Sequence, residues 1–178
     1  LKNYYYNQIP EGYIKNCPKN NIAIVVETFS RRIIMPSYIP LISILISFIL
    51  VYTKNKEVLL LKKKGNDDMW QSITGSLHEN EKPYDAAVRE LHEETGIKSE
   101  KIIDCEKSHV FEIYEMWRHK YDDGVTHNTE YIFKLELDNK IDITIDKDEH
   151  DSYEWLTRVK AAEKVFSHTN RQAIFDLI

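Results

Sequence analysis

The stretch GSLHENEKPYDAAVRELHEETGI, residues 75–97, decides the fold, and its second half predicts a helix over residues 83–95. Pro83 suits the first helical position, because its missing N–H would have no partner there. Asp85 places an anion in the first turn, where the helix dipole favours one, and Gly96 is suited to end the helix. One face carries the predicted apolar core stripe, which is Tyr84, Val88, Leu91 and Thr95.

Three carboxylates crowd the last turns of this predicted helix. Glu90, Glu93 and Glu94 are spaced i, i+3 and i+4, which places them on one face beside the apolar stripe. A solvated acidic surface would explain them, since Glu is a good helix former. However, like charges at i and i+4 destabilise a helix, and anions near its C-terminal end oppose the dipole. A divalent cation would offset that cost, and carboxylate oxygens are the ligands that Mg²⁺ prefers.

The rest of the chain predicts a sheet and two further helices. Apolar alternation indicates strands, and a turn at residues 53–56 indicates that the first two strands form an antiparallel hairpin. The predicted strands cover residues 39–52, 57–63, 108–116, 129–137, 142–145 and 152–156. Helical patterns follow at residues 159–166 and 170–178, the second with Ala173, Ile174 and Leu177 on its buried side. The predicted fold class is α/β, with a mixed, mostly antiparallel sheet flanked by helices.

Composition narrows the range of functions. The 178 residues carry a formal net charge of −5 and only short basic runs, which argues against a nucleic-acid partner. The two cysteines, Cys17 and Cys105, form no disulfide framework, so the sequence fits a reducing cytoplasm. Residues 35–52 carry no charge, but prolines and serines interrupt them, and a buried strand explains them better than a membrane span. Residues 1–34 show weak periodicity and are predicted to be an N-terminal extension, which leaves residues 35–178 as the folded domain.

A spaced set of residues within the opening stretch resembles the Nudix box. The matching positions are Gly75, Glu81, Arg89-Glu90-Leu91, Glu93-Glu94 and Gly96-Ile97. The resemblance implies a Nudix-type α/β/α sandwich in which the box forms a loop, a helix and a second loop. It also implies an enzyme that hydrolyses a nucleoside diphosphate, or a similar diphosphate, linked to another group, with Mg²⁺ or Mn²⁺ as its metal.

The resemblance also implies roles within the box. Glu90 and Glu94 would be the principal metal ligands, and Glu93 would bind a further metal or help to deprotonate the attacking water. Arg89 would orient the carboxylates as an ion pair, and Glu81 would brace the loop against the helix. The predicted catalytic residues are therefore Arg89, Glu90 and Glu93. A metal lowers the pKa of its bound water, which suits hydrolysis.

Blocks outside the box resemble the bacterial dihydroneopterin triphosphate pyrophosphatases of that family. They include MWQSITGSL at residues 69–77, RHKYDDGVTHNTE at residues 118–130 and SHTNRQAI at residues 167–174. The resemblance implies that Glu149 is a metal ligand from outside the helix. It implies a substrate site made of Lys63, Thr74, Phe111, Glu112, Ile113, Tyr114, Glu149 and Ser167.

Several of these positions have structural alternatives. Phe111 and Tyr114 are also explained as core or edge-strand aromatics, and Glu149 as part of an acidic surface loop. Ser167 is also explained as the N-cap of the last helix. In one arrangement, Glu112 accepts N–H bonds from a pterin ring while Phe111 and Tyr114 stack on that ring.

The predicted reaction is the Mg²⁺-dependent hydrolysis of dihydroneopterin triphosphate to the monophosphate and pyrophosphate, an early step of folate synthesis in the cytoplasm. The predicted partner is a small triphosphate, with neither a nucleic acid nor a membrane involved. Two alternatives stay open, namely the same chemistry on a nucleoside triphosphate and a non-catalytic binding module. The intact set of Glu90, Glu93 and Glu94 argues against the module, since such modules usually lose these carboxylates.

Overall fold

A computed structural model describes residues 45–121 and 123–178 of the chain. The strands are β1 (Leu45–Thr53), β2 (Glu57–Lys63), β3 (Trp70–Gln71), β4 (Ile73–Ser76), β5 (Ile103–Glu112), β6 (His127–Leu137) and β7 (His150–Thr157). The α-helices are α1 (Pro83–Thr95), α2 (Arg158–Lys164) and α3 (His168–Leu177), and a 3₁₀-helix spans Glu115–Lys120. The predicted extension, residues 1–34, and the start of the first predicted strand lie outside the described residues.

β1 lies at the centre of one mixed sheet. It pairs in parallel with β6, from Leu45↔Thr129 to Thr53↔Leu137, and antiparallel with β2 and β4. β2 also pairs antiparallel with β3 and β7, and β6 pairs antiparallel with β5. The described residues form a seven-stranded sheet with one parallel pair, which confirms the predicted mixed, mostly antiparallel sheet.

Helices cover both faces of this sheet, because alternate residues of β1 point to opposite sides. Phe48 and Leu50 pack with residues of α2 and α3, while Ile49 and Val51 pack with residues of α1. The result is the α/β/α sandwich. A strand buried on both faces has a continuous apolar sequence, which explains the uncharged stretch that ends in β1. In the described part of the chain, no helix is long and apolar enough to cross a membrane.

Helix α1 begins at Pro83 and ends at Thr95, which are the predicted bounds. Gly96 follows in the left-handed conformation with φ = 73°, and its N–H donates to the carbonyl of His92. Asp85 occupies the first turn, as predicted. Local signals are therefore sufficient to place this helix in the sequence.

The face that α1 buries agrees with the predicted stripe at Leu91 and Thr95 and differs from it at Tyr84 and Val88. Tyr84 and Val88 are each 37% exposed, whereas Glu94 is only 2% exposed. The buried residues of the helix are Ala86, Ala87, Leu91, Glu94 and Thr95. The two small alanines allow the helix to lie close to the sheet, so the buried face is rotated toward the carboxylates. A predicted metal ligand, Glu94, therefore points to the interior.

β5 is offset from its prediction. It runs over Ile103–Glu112, whereas the alternation predicted a strand at residues 108–116. The chain leaves the sheet at Ile113 and turns into the 3₁₀-helix, so the apolar residues that follow Glu112 do not belong to a strand. The apolar alternation of the sequence continues past Glu112. However, β6 begins at His127, opposite Glu112, and so supplies no strand partner for the residues that follow.

The strand predicted at residues 142–145 is absent from the structure. Ile143 and Ile145 pack against the core, as their alternation indicates. The backbone, however, bonds the end of α1 instead of a strand, and the Thr144 N–H donates to the Thr95 carbonyl at 3.0 Å. The last carbonyls of a helix have no partner within the helix, so this segment supplies what they lack.

Candidate active site

β4 and α1 meet at Gly75, a position of the resembled box. A Cβ atom built on Gly75 would lie 1.7 Å from Cδ of Glu90. A side chain at this position would occupy the place of the Glu90 carboxyl, so the close approach requires glycine. The backbone of β4 therefore passes directly beside a carboxylate of α1.

Arg89 joins the loop before α1 to three carboxylates. Its Nε and Nη2 donate to Glu81 Oε1 and Oε2, each at 2.8 Å. Its Nη1 donates to Glu90 Oε1 at 2.6 Å and to Glu93 Oε2 at 2.9 Å. The hydrogen bonds from Arg89 lower the pKa of Glu81 to about 2. One fixed cation thus holds Glu81, Glu90 and Glu93 in place.

Glu90 is positioned to exchange a proton near neutral pH. Burial raises the pKa of Glu90 to about 6, Arg89 opposes the rise, and the negative charges of Glu94 and Glu93 add to it. Its side chain is only 12% exposed. A carboxylate whose pKa is near the working pH can accept a proton and release it again during turnover.

Glu94 receives no hydrogen bond from Arg89. Its Oε2 lies 3.4 Å from Nε2 of His150, and neither atom has a hydrogen-bond partner in the described structure. Burial raises the pKa of Glu94, and the nearby His150 opposes part of that rise. One ligand atom from each of Glu94, Glu149 and His150 lies within 4.8 Å of the others. A buried carboxylate oxygen and a buried imidazole without hydrogen-bond partners are costly, and a bound metal would supply the missing partner. This set of residues therefore fits a cation.

The segment after β6 delivers Glu149 and His150 to this position. The N–H of Asp146 donates to the carbonyl of Glu94 at 3.4 Å, so the segment is tied to the last turn of α1. The carbonyl of Asp146 then accepts the N–H groups of Glu149 at 3.2 Å and His150 at 2.8 Å. Sequence reasoning missed His150, because no two histidines show ligand spacing. Its position directly after Glu149 was the available signal.

A cavity of about 350 Å³ opens beside these groups. Four of the predicted site residues line it, namely Lys63, Thr74, Glu90 and Glu149. It is also lined by Gly75, Ile46, Ser76 and His78, of which none was predicted to bind substrate. Lys63 Nζ donates to Glu149 Oε2 at 2.7 Å, which places a cation at the mouth of an otherwise acidic cavity. The volume suits a small molecule.

The other predicted substrate residues do not line this cavity. Ile113 is buried in the interior, and the exposed Glu112 pairs with Arg118 at 2.7 Å. Tyr114 packs on Trp117 and Phe166, with ring centroids 5.3 Å and 5.2 Å away. Ser167 accepts the Asn170 N–H and caps α3, and Phe111 is half-buried on β5. The contacts of Tyr114 and Ser167 fit the structural alternatives, and the substrate role of all five stays a prediction.

The fold and the clustered carboxylates define a class of protein. Residues 45–177 match the NUDIX domain, and the chain belongs to the Nudix family. It is a Nudix hydrolase, an enzyme that acts on phosphoric anhydrides. Members of the family typically use a divalent metal, which agrees with the cluster of Glu94, Glu149 and His150.

Two of the similar proteins, and one similar solved structure, are enzymes that act on dihydroneopterin triphosphate. The dihydroneopterin triphosphate diphosphatase of Escherichia coli K12 is 41% identical over 131 residues, which are 71% of this chain and 86% of that protein. The Haemophilus influenzae dihydroneopterin triphosphate diphosphatase is 34% identical over 131 residues, 71% of this chain and 82% of that protein. The solved structure of the E. coli dihydroneopterin triphosphate pyrophosphohydrolase matches with a TM-score of 0.72 at 38% identity, and covers 75% of this chain and 94% of that one.

Proposed function

We propose that this Nudix pyrophosphohydrolase converts dihydroneopterin triphosphate to dihydroneopterin monophosphate and pyrophosphate. The observation that carries the proposal is the 41% identity that extends over 86% of the E. coli enzyme, well beyond the box. The cavity supports it, since one cation, Lys63, faces carboxylates at Glu90 and Glu149 as a triphosphate site with a metal requires.

The metal of this proposal is Mg²⁺, for which Mn²⁺ could substitute. Glu90, Glu94 and Glu149 would hold it, and His150 is placed to add a nitrogen ligand or to orient Glu94. When bound, the metal neutralises phosphate charge and lowers the pKa of a bound water. Hard cations prefer oxygen ligands, so the three carboxylates are the stronger candidates.

The chain's own residues position the reactants. Arg89 holds Glu90 and Glu93 in fixed orientations, and Glu93, which is not one of the three metal ligands of this proposal, can accept the proton of the attacking water. The water oxygen then bonds to one of the two phosphorus atoms, the anhydride bond between the first and second phosphates breaks, and the bridging oxygen keeps the electron pair and leaves as part of the other product, so that monophosphate and pyrophosphate are formed. Lys63 and the Thr74 hydroxyl are placed to bind phosphate oxygens, since both line the cavity.

The test is a substrate panel. We expect kcat/KM at saturating Mg²⁺ to be highest for dihydroneopterin triphosphate, lower for GTP and lowest for ATP and dATP. Pyrophosphate release is measured by coupling to inorganic pyrophosphatase, with Glu94→Gln as the background control. A parental enzyme that prefers ATP or dATP contradicts the substrate assignment, and one that releases no pyrophosphate from any triphosphate contradicts the reaction.

A further inference from the structure

Glu130 is a buried carboxyl that the chemistry above does not use. It lies on β6 as the register partner of Ile46 on β1, and Ile46 in turn pairs with Ser76 on β4. Ile46 and Ser76 both line the cavity. Side chains paired across neighbouring strands project from the same face of a sheet. Because strands lie about 4.8 Å apart, the backbone of Glu130 stands about 10 Å from that of Ser76.

No cationic side chain of the described residues balances the charge of the Glu130 carboxyl. Glu130 is 7% exposed, and among the described side chains no Lys, Arg or His nitrogen lies within 4.0 Å of it. Burial raises the pKa of Glu130 to about 7, and the nearby Thr169 side chain on α3 opposes part of that rise. Its register partner on β5, His109, has a buried Nδ1 without a hydrogen-bond partner. Burying a carboxyl group, or an imidazole nitrogen without a partner, is costly, and a ligand that bonds these groups would offset that cost.

The first turn of α3 adds polar groups near the Glu130 carboxyl. Thr169 Oγ1 lies 2.7 Å from Ser167 Oγ, and the Ser72 hydroxyl donates to the amide oxygen of Asn170 at 3.0 Å. Thr169, Ser72 and Asn170 are all buried. Ser167 belongs to the substrate site that the sequence predicts, and Thr169, which its hydroxyl contacts, lies near the Glu130 carboxyl.

We propose that Glu130 is the specificity-determining residue that selects the ring of the substrate, an inference that rests on the proposed function. In its ionised form, Glu130 presents two oxygens that accept the amino group and the adjacent ring N–H of a pterin, and these two bonds stabilise the ionised form when the ring is bound. Guanine presents the same pair of donors, whereas adenine presents a donor beside an acceptor. A site built to bond two N–H groups rejects a ring that leaves its buried acceptor unpaired.

Glu112, the carboxylate that the sequence predicts for this task, is less suited to it. Its side chain is exposed and pairs with Arg118 at 2.7 Å. Water can satisfy an exposed carboxylate when the ligand does not, so such a group discriminates weakly between rings. Glu130 is largely shielded from solvent and pairs with no cationic side chain in the described part of the chain, so selection of the ring falls to it.

The test compares Glu130→Gln with the parental protein and with Glu136→Gln. Glu136 lies on the same strand but is exposed, so it is a matched control for loss of one carboxylate. The ligands are neopterin, GMP and AMP, whose dissociation constants are measured by calorimetry with Mg²⁺ present. We expect Glu130→Gln to weaken neopterin and GMP by about 10- to 100-fold, the usual worth of a two-point hydrogen-bonded contact to a base. AMP should change by less than about threefold, because adenine forms no two-point bond with the carboxylate.

The binding data either support or overturn the role of Glu130. Equal weakening of all three ligands, or no change for neopterin and GMP, overturns the proposal. If circular dichroism shows that Glu130→Gln is unfolded, Thr169→Val decides, because it removes the hydroxyl that lies near the carboxyl and should weaken neopterin and GMP alone. The proposed function is judged separately by the turnover panel of the parental enzyme. An enzyme that prefers GTP to the pterin contradicts the proposed substrate. In that case the binding data alone still decide whether Glu130 selects the ring.

Discussion

Glu130→Gln should also change how the stability of the protein depends on pH. The pKa of Glu130 is about 7 in the folded protein, against an ordinary value of 4.5. As pH rises, the carboxyl therefore loses its proton in the unfolded chain before it does so in the folded protein. The free energy of unfolding falls as a result between about pH 4.5 and about pH 7. A pKa difference of about 2.5 corresponds to about 3 kcal/mol of unfolding free energy. The amide of glutamine carries no charge at any of these pH values, so the variant escapes this loss.

The assay is urea unfolding of both proteins from pH 4.5 to pH 8 in EDTA. The difference in unfolding free energy, variant minus parent, should grow by about 3 kcal/mol across that range. Glu90 and Glu94 also have raised pKa values, but both proteins share them, so their effect cancels in the difference. Glu136→Gln should show no such trend. A difference that stays flat within about 0.5 kcal/mol refutes the reasoning that burial keeps Glu130 neutral.

Three further predictions concern the metal and the N-terminus. Exhaustive EDTA treatment should abolish turnover and added Mg²⁺ should restore it, because Glu94, Glu149 and His150 are arranged for a cation; activity that survives EDTA contradicts the metal site. Glu94→Gln should lower kcat by at least about 100-fold while its melting temperature in EDTA stays equal or rises, since a buried uncompensated carboxylate is removed. A folded variant within threefold of parental kcat refutes the ligand role. A chain that begins at Met35 should fold and keep its activity, because the NUDIX match begins at residue 45; an insoluble or inactive shortened chain shows that residues 1–34 contribute to the fold.

The bounds of α1 could be predicted because the signals for them are local. Pro83 and Gly96 act through their own backbone restrictions, whatever the rest of the chain does. The buried face of α1 could not be predicted in the same way. A helical wheel gives the angles between side chains, but the sheet decides which angle is buried, and close packing favoured alanines over Tyr84 and Val88.

The cavity shows the same division between local and tertiary information. Lys63, Thr74 and Glu149 lie far apart in the sequence, and only the resemblance to a family placed them in one site, where the structure brings them together. No periodicity or spacing in the sequence distinguishes Glu130 from the exposed Glu136 six residues later on the same strand. The difference arises from α3, which covers one carboxylate with Thr169 and leaves the other in solvent.

The repulsion among the carboxylates of α1 is met in two different ways. Arg89 balances the negative charges of Glu81, Glu90 and Glu93 through hydrogen bonds. Its guanidinium makes no hydrogen bond to Glu94. At the other side, the N–H groups of the segment after β6 bond the last carbonyls of the helix, which reduces the unfavourable dipole at Glu94. The same segment carries Glu149 and His150 to a position where their ligand atoms lie within 4.8 Å of that of Glu94. One peptide segment therefore both bonds the end of the helix and brings two further ligand residues to the candidate cation site. Among Glu90, Glu93 and Glu94, Glu94 is the one that Arg89 leaves for a metal to neutralise.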